Sequence, residues 1–390
     1  MNSCNIKEKE AALEMKYTIA PIPFKTAHPT AEPNLFTDSL GNIYLTWIEK
    51  TGKTASLQYA KLKNNLWSEP IMIAKGDNWF VNWADFPQFV TNGEKGFLAS
   101  ILVKSGKSTY AYDIHLYHSE DGITWYGPVI LHDDGKEAEH GFVSMAPEKN
   151  KVLISWLDGR NAAMENKDHD AHEHGGAMSL RAGYVDYSGK KIKEWELDNR
   201  VCDCCQTGVM QTEKGPIVIY RDRSKDEIRD ISIKRFREEK WTDAKPIFED
   251  NWKINGCPVN GPKMDGNGST IAIAWYAEPD KKPQVKVIFS KDGGNTFGEP
   301  FIINDGIPIG RVDICLMNDS AAYVSWMEKD EIKIKRVTDT GIKEKALTIA
   351  HTTQKRSAGF PQMTKDGNSL VFAWTDDSDS LQIKTARVIF

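Results

Sequence analysis

Three of the chain's 6 cysteines fall within four positions, in Cys202-Asp203-Cys204-Cys205. Another, Cys257, follows in Asn255-Gly256-Cys257-Pro258-Val259-Asn260. One buried thiol packs like a small hydrophobe, but several together offer soft metal ligands or disulfide partners. Three readings stay open. As thiolates, Cys202, Cys204, Cys205 and Cys257 suit Zn²⁺, Cu(I) or an iron–sulfur cluster, although the spacing is not the familiar Cys-x-x-Cys pair. As a disulfide from the triplet to Cys257, they would add ~2–4 kcal/mol in an exported protein. As inert thiols, they are simply buried. Cys315, in the apolar Ile314-Cys315-Leu316, reads as core.

Arginines crowd the same stretch: Arg160, Arg181, Arg221, Arg223 and Arg229, with Arg311 further on. Arginine binds carboxylate or phosphate in bidentate fashion. Arg160, Arg221, Arg223 and Arg311 are therefore candidate anchors for an acidic glycan or a small anionic ligand. The neighbouring Asp158, Asp222, Asp226, Glu227 and Asp230 offer the competing reading, a structural ion-pair network. Between these groups runs Asn166–His174, which holds His169, His172 and His174. Such a tract captures Zn²⁺ or Cu²⁺, or is only a solvated loop.

A repeat must position these residues. Trp47, Ser100, Trp156, Tyr220, Trp275, Trp326 and Trp374 recur about every 50 residues, each inside a short β-rich run such as Tyr44-Leu45-Thr46-Trp47 or Tyr323-Val324-Ser325-Trp326. Phe86-Pro87-Gln88-Phe89 returns as Phe360-Pro361-Gln362-Met363. The pattern predicts an all-β chain, a single propeller over residues 16–390 with four-stranded blades. Seven blades are expected, with six as the alternative. The last unit is one strand short, and Tyr17–Pro23 is a spare strand before the first; pairing them would close the ring. Hydrophobic residues make up 40%, and no apolar run approaches the ~20 residues of a membrane span. A net charge of −5 leaves no basic footprint for nucleic acid.

Ser290-Lys291-Asp292-Gly293-Gly294-Asn295-Thr296-Phe297 matches the Asp-box, Ser-x-Asp-x-Gly-x-Thr-Phe/Trp. Ser119-Glu120-Asp121-Gly122-Ile123-Thr124-Trp125 is a copy one residue shorter. The chain thus resembles the sialidase-like (BNR/Asp-box) propellers, and within them a group of exported bacterial proteins with a Cys-Asp-Cys-Cys run. The resemblance implies that Ser119, Asp121, Trp125, Ser290, Asp292, Gly294 and Phe297 are structural, at turns between third and fourth strands. It also implies an exo-acting glycoside hydrolase on an acidic sugar, with Asp158 or Glu278 as acid/base and Tyr276 as nucleophile. The sequence departs from sialidases in lacking Arg-Ile-Pro; Phe24-Lys25-Thr26-Ala27-His28-Pro29 stands in its place.

Placed on blades, the cysteines are links between units, while Arg160, Arg221 and Arg223 are loops between second and third strands. Both kinds of loop open opposite the Asp-boxes, so one face should collect the chemistry. Asn2-Ser3-Cys4 looks like the end of a bacterial lipoprotein signal, with residues 1–15 as a tether and Cys4 lipidated. The expected protein is extracytoplasmic and monomeric, touches a membrane only through that anchor, and works on glycans. A metal-binding (Zn or Cu) propeller and a non-catalytic docking module are the alternatives.

Overall fold

The computed structural model describes residues 17–162 and 177–390. The His169–His174 tract and the Cys4 tether lie outside the described residues. The rest forms seven radial antiparallel sheets. Blade 1 holds β2 (Thr30–Thr37), β3 (Ile43–Thr51), β4 (Thr54–Lys63), β5 (Leu66–Trp67) and β6 (Ile71–Gly76). Blade 2 holds β7 (Gln88–Thr91), β8 (Phe97–Lys104), β9 (Tyr112–Ser119) and β10 (Tyr126–Ile130). Blade 3 holds β11 (His140–Pro147), β12 (Lys151–Asp158), β13 (Met178–Asp186) and β14 (Lys191–Val201). Blade 4 runs from β15 (Gly208–Thr212) through β16 (Gly215–Arg221) and β17 (Ile231–Arg237) to β18 (Lys240–Trp241) and β19 (Lys245–Pro246). Blade 5 comprises β20 (Lys263–Asn267), β21 (Thr270–Ala277), β22 (Gln284–Ser290) and β23 (Phe301–Ile302). Blade 6 comprises β24 (Pro308–Asn318), β25 (Ala321–Glu328), β26 (Glu331–Thr338) and β27 (Leu347–His351).

Blade 7 has β28 (Gln362–Asp366), β29 (Ser369–Asp376) and β30 (Gln382–Ile389), and takes its fourth strand, β1 (Thr18–Ile22), from the other end of the chain. Thr18 pairs with Ile389 and Ile22 with Thr385. The ring has seven blades, not six, and closes as the spare strand predicts.

All seven repeat markers sit on second strands. Those strands are buried on both faces because each sheet packs against two neighbours; β21 has no residue outside the core. That is why they read as continuous apolar runs rather than alternating ones. Trp47, Trp156, Trp275 and Trp326 are among the largest fully buried side chains. Both Asp-boxes are turns between third and fourth strands. Asp121 Oδ1 accepts the Ile123 and Thr124 N–H groups at 2.8 and 2.7 Å. Asp292 Oδ1 accepts those of Asn295 and Thr296, each at 2.9 Å. Cys315 is buried, as the apolar strand implies.

The closing seam is stapled by side chains. Thr385 Oγ1 donates to the Ile22 carbonyl at 2.8 Å and receives Trp67 Nε1–H at 3.0 Å, so blades 1 and 7 and β1 meet at one hydroxyl. Ile22 itself is buried. Ile22→Ala should lower the unfolding free energy by ~2–4 kcal/mol in urea titrations. Thr385→Val, which leaves two buried groups unpaired, should lower it by ~1–3 kcal/mol.

Candidate functional site

The face opposite the Asp-boxes gathers the links and the loops between second and third strands. Its inner rim is strained: Glu32, Phe142, Val259 and Arg311 adopt φ of 59°, 55°, 49° and 55° at the inner ends of four blades. Non-glycine residues hold this conformation only where their surroundings force it, and such positions concentrate at functional sites. Below the rim, an axial cavity of about 580 Å³ is lined by the first strands, with Asp85, Gln206, Lys263, Asp313 and Gln362 along it.

The thiols assemble on this rim. The Sγ atoms of Cys202, Cys204 and Cys205 lie within 4.8 Å of one another. Cys202 and Cys205 are 3.6 Å apart and buried. Cys257 is exposed and lies close enough to Cys204 to influence its ionisation, outside that group of three. All four are free thiols. Arg229 Nη1 donates to Cys202 Sγ at 3.2 Å. Burial opposes ionisation of Cys202, but the thiol hydrogen bonds from Cys204 and Cys205 and the Arg229 and Arg221 charges overcome it, and its pKa falls well below the ordinary value. Burial drives the Cys204 and Cys205 pKa values up.

The rest of the motif is scaffold. Asp203 accepts Met178 N–H and Arg223 Nη1, each at 3.0 Å. Gln206 donates to the Ala84 carbonyl at 2.5 Å and accepts Gly261 N–H at 3.0 Å. A Cβ on Gly261 would stand 2.2 Å from the Gln206 carbonyl oxygen, so that approach demands glycine. Thr207 donates to the Phe142 carbonyl at 3.0 Å. The cysteines thus ride on a link clamped to blades 3 and 5.

The arginines proposed as substrate anchors all have partners inside the protein. Arg221 is buried and donates to the carbonyls of Asn260, Arg229 and Tyr276. Arg311 is buried against the carbonyls of Gly359, Gln354 and Lys355. Arg160 is clamped by Asp158, Asp134 and Glu194, and Arg223 by Asp203 and Glu227. Each of these four guanidinium groups is bonded within the protein. Asp158 fares no better as an acid/base. It has no exposure and is spent on Trp156 Nε1, at 2.9 Å, and on Arg160. Tyr276 is buried, its hydroxyl 3.5 Å from Glu278 Oε2, with the ring edge-on to Trp252.

Two groups escaped the sequence reading. One is Tyr112 with Glu139: the hydroxyl donates to Glu139 Oε1 at 2.6 Å. Burial pushes the Glu139 carboxyl up to about 7, against the Tyr112 hydrogen bond and with help from the Asp203 charge. The other is a cluster between blades 2 and 3: Asp113, His132, Asp134, His140 and Asp158. The signals were present, in Asp113-Ile114-His115, His132-Asp133-Asp134 and Glu139-His140. Each is an ordinary pair until the fold brings it beside the others.

No protein-family model matches the sequence, and no curated protein matches it. Solved structures match in fold. Polysaccharide lyase Uly1 aligns at a TM-score of 0.53 and 7% identity, over 93% of this chain and 90% of its own. A protein of unknown function from Dyadobacter fermentans DSM 18053 aligns at 0.51 and 11%, over 95% and 98%. The α-L-arabinofuranosidase of Fusarium graminearum aligns at 0.50 and 13%, over 96% and 97%. This propeller is a fold that glycan-acting enzymes also use. Identities so low show the fold alone.

Buried carboxyls give the rim a pH signature. Burial raises Asp85 to about 8 and Glu32 to about 8, each helped by a neighbouring carboxylate. In the unfolded chain both titrate near ~4. Between these values the native state binds more protons, so the unfolding free energy should fall as pH rises from about 4 to about 8. Asp85→Asn keeps an acceptor for Phe142 N–H and should flatten that slope in urea titrations taken at stepped pH. Arg221→Met should cost ~3 kcal/mol or more, since it strands buried carbonyls.

Proposed function

We propose that this chain is a metal-binding propeller that holds Zn²⁺ or Cu(I) on Cys202, Cys204, Cys205 and Cys257. The observation that carries the reading is the packing of three sulfurs within 4.8 Å, the Cys202–Cys205 separation being 3.6 Å. Tetrahedral zinc with bonds of about 2.3 Å sets its sulfurs ~3.8 Å apart. Arg229 supports it from outside, since N–H donors to a thiolate stabilise its charge and fix its direction. Soft donors of this kind select zinc and cuprous ions over hard cations. A disulfide between the triplet and Cys257 is the rival outcome for the same residues.

Full-length protein purified under reducing conditions should retain about one equivalent of zinc or copper at this site, and Cys202→Ser should abolish that binding. Arg229→Met should weaken it about 10- to 100-fold. Intact mass with and without reductant decides against the reading if two of these thiols are oxidised to each other and no metal is retained on them.

A second reading, a sialidase-like protein that binds or cleaves glycans, is favoured by the Tyr112–Glu139 pair. A carboxyl at about 7 suits general acid/base work, and the fold shared with a lyase and an arabinofuranosidase fits it. Turnover of fluorogenic sialosides, uronides or arabinofuranosides, lost in Glu139→Gln, would establish it; no turnover across the panel removes it.

A further inference from the structure

His132 comes from the link between β10 and β11, and Asp113 from the start of β9. His132 Nδ1 lies 3.0 Å from Asp134 Oδ1, so this nitrogen carries the proton. Its Nε2 is buried and has no hydrogen-bond partner. Asp113 Oδ1, 3.4 Å away, has none either. An imidazole lone pair therefore faces a carboxylate oxygen with nothing between them. A second proton on His132 would make the contact an ordinary ion pair. Leaving two acceptors buried face to face is costly.

We propose that this pocket between blades 2 and 3 is a divalent-metal site, zinc by its donor set, with His132 Nε2 and Asp113 Oδ1 as its first two ligands. Zinc bonds to nitrogen and oxygen of about 2.0–2.1 Å at a tetrahedral angle place the donors ~3.3 Å apart. The observed 3.4 Å is that span. Asp134 behind His132 completes a carboxylate–histidine–metal arrangement, which fixes the tautomer and raises the basicity of the ligating nitrogen. Asp134 is itself anchored, 3.1 Å from His140 Nε2 and 3.3 Å from Arg160 Nε. Burial works against its ionisation, but hydrogen bonds and charge from His140 and His132, with Arg160, prevail and hold it at about 2.

His140 is a buttress, not a ligand. Its ring stacks on that of His132, centres 3.5 Å apart and 4° from parallel. Its Nδ1 faces the carbonyls of Tyr112 and Ala138. A lone pair in the plane of one stacked ring cannot aim at an ion in the plane of the other. His115 stands on the same face of β9 as Asp113, half-buried, and near enough to feel the charges of Asp113 and His132. This donor set is nitrogen and oxygen, whereas the rim thiols are soft sulfur, so the two sites are chemically separable.

Cobalt(II) is the probe that separates them, in a parent chain whose His169, His172 and His174 are replaced by alanine to remove loose binding. The expected result is a cobalt with ligand-field bands and no thiolate-to-cobalt charge transfer, in addition to any cobalt that the rim thiols hold with such a band. That signal should disappear in His132→Gln and in Asp113→Asn, both with parental circular dichroism. Failure of the thiolate reading shows separately, as an absent charge-transfer band. The site is overturned if both variants bind cobalt like the parent, or if every bound cobalt shows thiolate charge transfer. Should the variants unfold, ¹⁵N-histidine NMR of the parent decides. His132 neutral in chelated protein and shifted by zinc supports the site; His132 protonated on both nitrogens at pH 7 and indifferent to zinc overturns it.

Discussion

Two buried guanidinium groups with no carboxylate partner among the described residues hold this face of the ring together. Arg221 binds three backbone carbonyls across blade 4, the following link and blade 5. Arg311 binds three more where blade 6 meets the link to blade 7. Each lies over an indole, Trp252 at 4.9 Å and Trp83 at 5.1 Å. Links that run between sheets leave carbonyls outside any ladder, and buried carbonyls must find donors. A planar fork of donors answers that need in one side chain, which an ammonium cannot do. The stacking recovers part of the desolvation of the charge. Burial is still felt: it lowers the Arg311 pKa to about 10.

The thiol centre depends on the first of these clips. Arg221 takes the carbonyl of Asn260, three residues beyond Cys257, and the carbonyl of Arg229, whose own guanidinium reaches Cys202. Gln206 ties the same two links together through Gly261, and reaches the link between blades 1 and 2 at Ala84. Four sulfurs from two links can meet only if both links are fixed. The sequence Cys-Asp-Cys-Cys-Gln-Thr therefore divides by role. The cysteines face one another, while Asp203, Gln206 and Thr207 hold the backbone that carries them.

The architecture was legible because a propeller repeats its letters. Buried second strands need the same aromatic at the same place, and the orphan strand at Tyr17–Pro23 had one partner available. The partners of the arginines were not legible, for a physical reason. Sequence shows a charge but not whether its partner is a carboxylate, a carbonyl or solvent. Asp158 looked like an acid/base beside Arg160, and burial turned the pair into a closed ion pair that also holds Trp156. The His132–Asp113 contact was invisible because its members lie in a strand and a link whose meeting is a property of the blade, not of any motif. The cysteines were found because local density is what sequence displays best.

Fold likeness to glycan-acting propellers shows the fold and not their chemistry. A site that recognises an acidic sugar needs guanidinium groups with free donors facing solvent. On this rim, Arg160, Arg221, Arg223 and Arg311 are bonded within the protein, and the rim carboxyls Glu32, Asp85 and Glu139 are pushed by burial toward their neutral forms. What the rim presents instead is sulfur. Cys257 is exposed and Cys204 lies close to it, while Cys202 and Cys205 sit beneath. On the metal-binding proposal, two donors near the surface and two below would let a soft ion move between solvent and the buried sulfurs by exchanging one ligand at a time. Such a centre would suit acquisition or delivery of metal better than permanent structural storage, in which all four ligands would be closed off from solvent.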